Sequence, residues 1–352
     1  MKKKKINFGL LGLGRVVEKR IVDVFKKELN NSKIISVFDK DKKKNKFYSN
    51  LFNCKLNESI EEFLKSDCDY VYIATESGNH YQHIKNCFKF KKNVIVEKPP
   101  VLRINQLIEL NNISKNNNLE FYVIYQNRLN KSVEFLKKYI NRKNSNIVFS
   151  TLNLSWSRNQ DYYNDWHGNW KMDGGVASQQ GIHYIDILCY LFGDPIKCIS
   201  NITKKSNKLQ AEDTHSSLIV FKNNISCTVN LTTALRPQDY EASIKVVMKN
   251  EIWSLEGLCC NKLKYINLEK NKKKNKNLCK RNSEEVKNGY GNSHTKSFQI
   301  IIDYALKKSD IKPLRSFETI STLKLLNMMY KSYESKRWVY FKEKNFNSKL
   351  GR

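Results

Sequence analysis

At 352 residues, 40% of them hydrophobic and 11% aromatic, the chain is too long for one ordinary core and too apolar for disorder, so two domains are expected. The 63 basic and 34 acidic residues give a net charge of +29, which alone would point to an anionic partner. The lysines are scattered among asparagine and isoleucine, with no Arg-rich stripe and no aromatic interleaving, so a solvated surface is expected rather than a nucleic-acid partner.

The nine cysteines show no CxxC and no paired metal spacing; no metal is expected, and a reducing, cytoplasmic setting is. Lys2–Lys5 ahead of Ile6–Leu13 superficially resembles a leader. The apolar stretch is short, broken by glycines, and followed by Arg15 instead of a small-residue cleavage site. No run approaches the ~20 apolar residues of a membrane span, so no membrane partner is expected.

The chain opens on a buried strand, Ile6–Leu11, and then turns helical, with Val17, Ile21, Val24, Phe25 and Leu29 on one face. A second strand, Ile34–Phe38, ends at Asp39 and is followed by a solvated lysine run from Lys40 to Lys46. Then come strand Tyr70–Thr75, helix Asn79–Phe90, strand Asn93–Val96, helix Ile104–Asn116 and strand Glu120–Tyr125. Strands alternating with helices at this spacing mean parallel β-α-β units. The first domain is drawn over 1–125.

Near residue 147 the grammar changes. Val148, Leu152, Leu154 and Trp156 alternate with Phe149, Thr151, Asn153 and Ser155, a half-exposed strand pattern. A glycine-bearing loop leads to helix Ile182–Phe192, stopped by Gly193-Asp194-Pro195. Strands then follow strands: Ser216–Phe221, Ile225–Thr233, Ser243–Met248 and Ile252–Leu255, with a tight turn at Asn223-Asn224. Residues 267–293 read as a long solvated loop. Helices near Ser297–Lys307 and Phe317–Tyr333 and a strand at Trp338–Phe341 close the chain. The fold class is α/β: a doubly wound parallel Rossmann sheet, then an α+β domain over 126–352 with a mostly antiparallel sheet.

Chemistry concentrates at strand ends. In Gly12-x-Gly14-x-x-Val17 the first glycine permits a tight turn and the second lets backbone approach a pyrophosphate, at a helix N-terminus. Val17 departs from the Gly or Ala of the full pattern, and an ordinary strand-to-helix turn stands as the alternative. Asp39 sits where a carboxylate accepts from the adenosine ribose hydroxyls and repels a 2′-phosphate, so NAD is favoured over NADP. Its alternative is a turn-capping aspartate. Lys98, in Glu97-Lys98-Pro99 after a strand, is placed to lower a hydroxyl's pKa and steady an alkoxide; Pro99 restricts its backbone. A plain surface strand end is the alternative there.

The second constellation is Gly174-Gly175, then Gln179, Gly181, His183 and Asp186. His183 is expected in a helix's first turn, kept neutral by the dipole, with Asp186 orienting the ring. His80 and His83, three apart on one helix, lack further ligands for a metal. The stretch from Arg158 to Trp170 (Tyr162, Tyr163, Trp166, His167) is a platform for a polar ring or a packed aromatic corner; both readings stand.

Together these residues are similar to the Gfo/Idh/MocA oxidoreductase family. The matching positions are Gly12-x-Gly14, Asp39, Ile73-Ala74-Thr75 with His80, Glu97-Lys98-Pro99, Gln126-Asn127-Arg128, and Gly174-Gly175 through Gly181-Ile182-His183-x-x-Asp186. The resemblance implies NAD(P)-dependent chemistry on a sugar, polyol or related ring, and an open C-terminal sheet that makes homodimer or homotetramer contacts. It implies Lys98 as the substrate-polarising residue and His183 as the acid/base. Cofactor contacts would come from Gly12, Gly14, Arg15, Val16, Asp39, Thr75, His80, Glu97 and Lys98. Substrate contacts would come from Arg128, Tyr163, Trp170, Gln179 and His183. Many members carry an aspartate where this chain has Gln179; members acting on nucleotide-linked sugars can carry a neutral amide. A sugar-nucleotide substrate is therefore expected, with a polyol or inositol dehydrogenase, or a silent NAD-binding regulator, as alternatives.

Overall fold

The computed structural model describes residues 5–143, 147–267 and 272–352. Lysines 2–4 of the basic start lie outside the described residues, as do positions 268–271 of the expected solvated loop. The chain forms two compact units: one runs through Val101 and adds Asn105–Gln126 and Asn292–Ile320, and the other holds Leu102–Ile104, Asn127–Gly291 and Ser321–Arg352.

In the first unit, strands β1 (Ile6–Leu11), β2 (Ser32–Phe38), β3 (Lys55–Leu56), β4 (Tyr70–Ile73), β5 (Asn93–Val96) and β6 (Phe121–Val123) form one sheet. Their order is β3-β2-β1-β4-β5-β6, every pair parallel. This is the doubly wound order, and the chain switches direction between β1 and β4. Covered on both faces, the strands are near-continuous buried runs: all four residues of β4 are buried.

The core on one face packs Phe8, Val17, Ile21, Val24 and Tyr72 against Phe298, Ile301 and Ile302. Phe298 meets Phe25 and Tyr72 edge-on, with ring centroids 5.0 and 5.2 Å apart. Helix Ser293–Ala305 therefore belongs to the first unit, which corrects the single second domain drawn over 126–352. Its apolar stripe completes a core begun almost 300 residues earlier, a pairing that local periodicity cannot reveal.

The lysine run also behaves differently from expectation. Lys42–Phe52 is a helix capped by Asp41, whose carboxylate accepts from the Lys43 and Lys44 amides. Its lysines are exposed while Asn45, Tyr48 and Ser49 are buried. A buried face built from polar residues hides the helical period.

In the second unit, β7 (Ile147–Ser155), β8 (Pro195–Thr203), β9 (Thr214–Phe221), β10 (Ile225–Thr232), β11 (Glu241–Met248), β12 (Glu251–Glu256), β13 (Lys262–Asn267) and β14 (Val339–Tyr340) form an eight-stranded sheet. The order is β13-β12-β11-β7-β10-β9-β8-β14, antiparallel except for β7 beside β10. In β10, Cys227, Val229 and Leu231 face the core and Thr228 and Asn230 face out. Asn223 and Asn224, with φ of 60° and 58°, make the expected tight turn between β9 and β10. The α-helix Ile182–Phe192 ends where expected, but wide helical turns run into it without a break from Val176.

Lys272–Arg281, within the expected loop, is helical. Lysine is a good helix former, and the C-terminal carbonyls of Leu278 and Cys279 are taken by the side chains of Asn282 and Ser283. With almost no apolar residues, this helix carries no amphipathic signature. Among the described residues, no helix is long and apolar enough to cross a membrane.

Candidate active site

The first unit gathers its chemistry at the carboxyl ends of its strands. After β1, Gly12 takes φ +89°, and a Cβ there would lie 2.7 Å from the backbone of Ala74 and Thr75. Glycine is required twice over, by conformation and by the approach of the chain after β4. Gly14 differs: a Cβ there would meet nothing within 4 Å. Its open face is the kind of cradle a pyrophosphate needs, and the helical turns that begin at residue 15 offer first-turn N–H groups. Arg15 is exposed and Val16 half-buried beside it, while Val17 is fully buried at the start of a wide, π-type turn over Val17–Ile21.

Asp39, half-buried at the end of β2, accepts from the Leu13 amide at 2.7 Å and from the Asp41 amide at 2.9 Å, one bond on each oxygen. Its own amide donates to Asn45 Oδ1 at 2.6 Å. The carboxylate thus fastens the glycine turn and keeps acceptor capacity on both oxygens. Lys40, which would blunt its charge, is paired with Glu76 at 2.6 Å. These residues fit a dinucleotide: an uncrowded glycine for the phosphates and an anchored carboxylate for the ribose hydroxyls.

Thr75 and His80 form the next layer. The His80 ring is fully buried between two carbonyls, Nδ1 2.8 Å from Pro99 O and Nε2 3.1 Å from Thr75 O. His80 is therefore packed between the loop after β4 and the loop after β5. Thr75 Oγ1 bonds His83 Nδ1 at 2.9 Å. Among the described residues no three His, Cys, Asp or Glu side chains are grouped to hold a metal.

Burial pushes His80 down to about 4. The native ring then refuses a proton that the unfolded chain accepts near 6.5, so this contribution is present above 6.5 and is lost as pH falls through 4. We expect stability against urea to drop by up to about 3 kcal/mol over that window from this residue, and the difference between wild type and His80→Gln to isolate it. Parallel pH curves for the two proteins would rule the assignment out.

Glu97 ends β5 but turns inward. It is 7% exposed, accepts from Tyr72 Oη at 2.6 Å, and lies 3.4 Å from His294 Nε2. Burial works against its charge, yet His294, Tyr72 and Lys98 together hold its pKa below the ordinary range. The structure places Glu97 as a buried support under the loop, with its Oε2 accepting from the Lys98 amide at 3.3 Å. Lys98 itself is half-buried at the strand end, before a cis peptide to Pro99.

In the second unit the helical run begins at Val176, not Ile182, with a wide π-type turn over Ala177–Gly181. His183 therefore sits about two turns in, and the first-turn dipole argument for it fails. Gly174 takes φ +71°, while Gly181 is part of the helix itself. Gln179 and His183 are both half-buried, four residues apart on this run.

Asp186 does not serve as the expected ring orienter. Its carboxylate is gripped by Arg128 through two bonds of 2.6 Å and accepts from Thr322 Oγ1 at 2.8 Å. Arg128, expected at the substrate, makes that grip and also lies over the Tyr190 ring at 5.2 Å. Tyr163 is buried, its hydroxyl 2.6 Å from Thr233 Oγ1, and burial pushes it up to about 12. Trp170 is half-buried, edge-on to Tyr330 at 5.5 Å. Trp166 stacks on His167 at 3.9 Å, and Gln180 donates to Tyr162 Oη at 3.2 Å. The aromatic stretch is thus joined to the helix that carries Gln179 and His183.

Sequence reasoning passed over Tyr72, His294, Glu212 and Tyr330. Each acts through a partner from 25 to 197 residues away, so spacing alone gives no signal.

A doubly wound sheet with a glycine turn after β1, an anchored carboxylate after β2 and a lysine after β5 is the arrangement of an NAD-binding oxidoreductase. Residues 6–125 match the oxidoreductase family's NAD-binding Rossmann fold, and residues 145–341 match its C-terminal alpha/beta domain. The chain belongs to the Gfo/Idh/MocA oxidoreductase family. It is 27% identical over 254 residues to Oxidoreductase P35 of Formosa agariphila, covering 68% of this chain and 77% of that one. In fold it is similar to the WlbA dehydrogenase of Chromobacterium violaceum, solved with NADH and UDP-GlcNAcA: TM-score 0.87, 23% identity, 97% of each chain covered. The Bordetella pertussis WlbA dehydrogenase, solved with the same two molecules, gives TM-score 0.87 and 22% identity over 97% of this chain and 99% of that one.

Proposed function

We propose that this oxidoreductase moves a hydride between the nicotinamide and a secondary alcohol or ketone of a sugar, and that the sugar is nucleotide-linked. The observation that carries the reading is the row of strand ends in the first unit: an uncrowded Gly14, an anchored Asp39, and Lys98 after β5. When bound, NAD supplies the hydride acceptor or donor.

The chain's own residues handle position and proton. The Lys98 ammonium bonds the reacting oxygen and steadies the alkoxide that forms as the hydroxyl proton leaves in oxidation, or as the hydride arrives in reduction. His183 takes the hydroxyl proton in oxidation and returns it in reduction. Gln179 can donate and accept hydrogen bonds but cannot carry a proton, which leaves that duty to His183. A neutral amide at 179 and the aromatic stretch before Gly174 support a nucleotide-linked sugar, and the WlbA dehydrogenases of the same fold were solved with one.

Self-association fits the outer face of the second sheet. Phe149, Val247, Ile252 and Ile266 are register neighbours across β7, β11, β12 and β13, and Phe149 and Ile266 are exposed. An apolar row of this kind supports a homodimer or homotetramer. Monomeric sedimentation at micromolar concentration would exclude it.

The functional test is a thermal-shift screen of NAD(H) and NADP(H), followed by turnover of UDP-GlcNAcA and free inositol monitored at the nicotinamide absorbance. NAD(H) should bind more tightly than NADP(H), and Asp39→Asn should weaken NAD(H) by about tenfold and narrow the preference. Tighter NADP(H) binding by wild type would overturn the role of Asp39. Turnover of inositol alone would replace the sugar-nucleotide reading with the polyol one.

A further inference from the structure

We propose that Glu212 is the positioning residue for the helical run that carries Gln179 and His183; this rests on the reading of His183 as acid/base. A helix leaves its first N–H groups without intrahelical partners. Glu212 serves two of them: its backbone oxygen accepts from the Val176 amide at 3.0 Å, and Oε1 accepts from the Ala177 amide at 3.2 Å. The same Oε1 accepts from Tyr330 Oη at 2.8 Å, and that hydroxyl accepts from the Gly175 amide at 3.2 Å. His215 Nδ1 lies 3.7 Å from Oε1, and Glu212, His215 and Tyr330 are all fully buried.

Gly175 makes the approach feasible. A Cβ there would stand 2.2 Å from Glu212 Oε2 and 2.3 Å from its backbone oxygen. No other residue type fits against this carboxylate.

Stability alone is a poor reason for such an arrangement. Burying a carboxylate costs several kcal/mol before compensation, and Ser, Thr or Asn caps a helix without that cost. What Glu212 adds is a fixed start. The run is gripped at Val176–Ala177 by Glu212 and again at Asp186 by Arg128 and Thr322. Gln179 and His183 lie between the two grips, and Gln179 is on the wide turn itself. Such turns leave backbone angles to be set by their surroundings. Releasing the first grip should therefore move both side chains, and small displacements of reacting groups cost rate more than binding.

The test uses full-length Glu212→Ala, Glu212→Gln, Tyr330→Phe and His183→Ala. Amide exchange over residues 176–183, which needs no substrate, should quicken by about tenfold or more in Glu212→Ala while β9 and β10 stay protected. In Glu212→Gln it should stay within about threefold of wild type, because the amide oxygen still accepts from Ala177 and Tyr330. With NAD and UDP-GlcNAcA, Glu212→Ala should lower kcat by about tenfold or more with KM nearly unchanged, and Glu212→Gln should recover most of it. Added to His183→Ala, Glu212→Ala should cost nothing further.

Unchanged exchange in Glu212→Ala overturns the proposal, as do equal losses for Ala and Gln or a loss that multiplies with His183→Ala. If Glu212→Ala does not fold, Tyr330→Phe carries the same comparison with a smaller expected change. Full activity of His183→Ala would sink the acid/base reading and this proposal together. A slow His183→Ala beside a normal Glu212→Ala would sink only this one.

Discussion

Lys98→Ala and His183→Ala should each lower turnover by about two orders of magnitude or more, the usual scale for losing a positioned acid, base or polarising charge. That is roughly 2.7 kcal/mol of barrier apiece. The physical reason differs between them. Lys98 contributes charge at the oxygen as it becomes an alkoxide, so Lys98→Met, which keeps the stem, should be as slow as the alanine variant. His183 contributes a proton site, so its loss should remove one limb of the pH profile. NAD(H) affinity should change little in either, since neither residue is assigned to the adenosine or the phosphates. Near-normal rates in both alanine variants would end the mechanism proposed here.

Two glycines two residues apart should respond in opposite ways. Gly12→Ala forces a Cβ into backbone atoms 2.7 Å away at φ +89°, so about 3 kcal/mol or more of stability should be lost. Cofactor binding would fail with the turn. Gly14→Ala meets no protein atom within 4 Å, so stability should stay within about 0.5 kcal/mol of wild type. Its methyl instead enters the space where phosphates approach, and NAD(H) affinity should fall by about tenfold or more. Urea melts paired with NADH titrations separate the two effects. A Gly14→Ala protein with wild-type affinity would remove the phosphates from this turn.

Most of the first unit's sheet was legible because its strands are buried runs bounded by polar turns. Helix Ile104–Asn116 was legible to the residue because it carries a clear apolar period, and so was the end of helix Ile182–Phe192, where a glycine stops it. Helices Lys42–Phe52 and Lys272–Arg281 were not, since one buries polar residues and the other has almost no apolar residues. Strands β8 and β13 escaped too, with lysine and asparagine interrupting their alternation.

At the site, Gly12, Asp39 and Lys98 were readable because strand ends are marked in sequence. The inward turn of Glu97 was not, because it depends on Tyr72 and His294. Asp186 was misread because a carboxylate one turn from a histidine suggests a local pair, and the stronger claim came from an arginine 58 residues back. His183 was placed in a first turn because Gly181 reads as a helix breaker, whereas here it lies inside the helix against Leu231.

The core that joins Phe8 and Tyr72 to Phe298 and Ile302 sets an order of events during synthesis. A nascent chain that has emerged only as far as residue 125 holds all six strands of its first sheet but not helix Ser293–Ala305, which completes the cover of one face. That face stays greasy while nearly the whole second unit is made, until residue 302 clears the ribosome. The half first translated is thus finished late, and during that interval it is a natural client for a holdase chaperone.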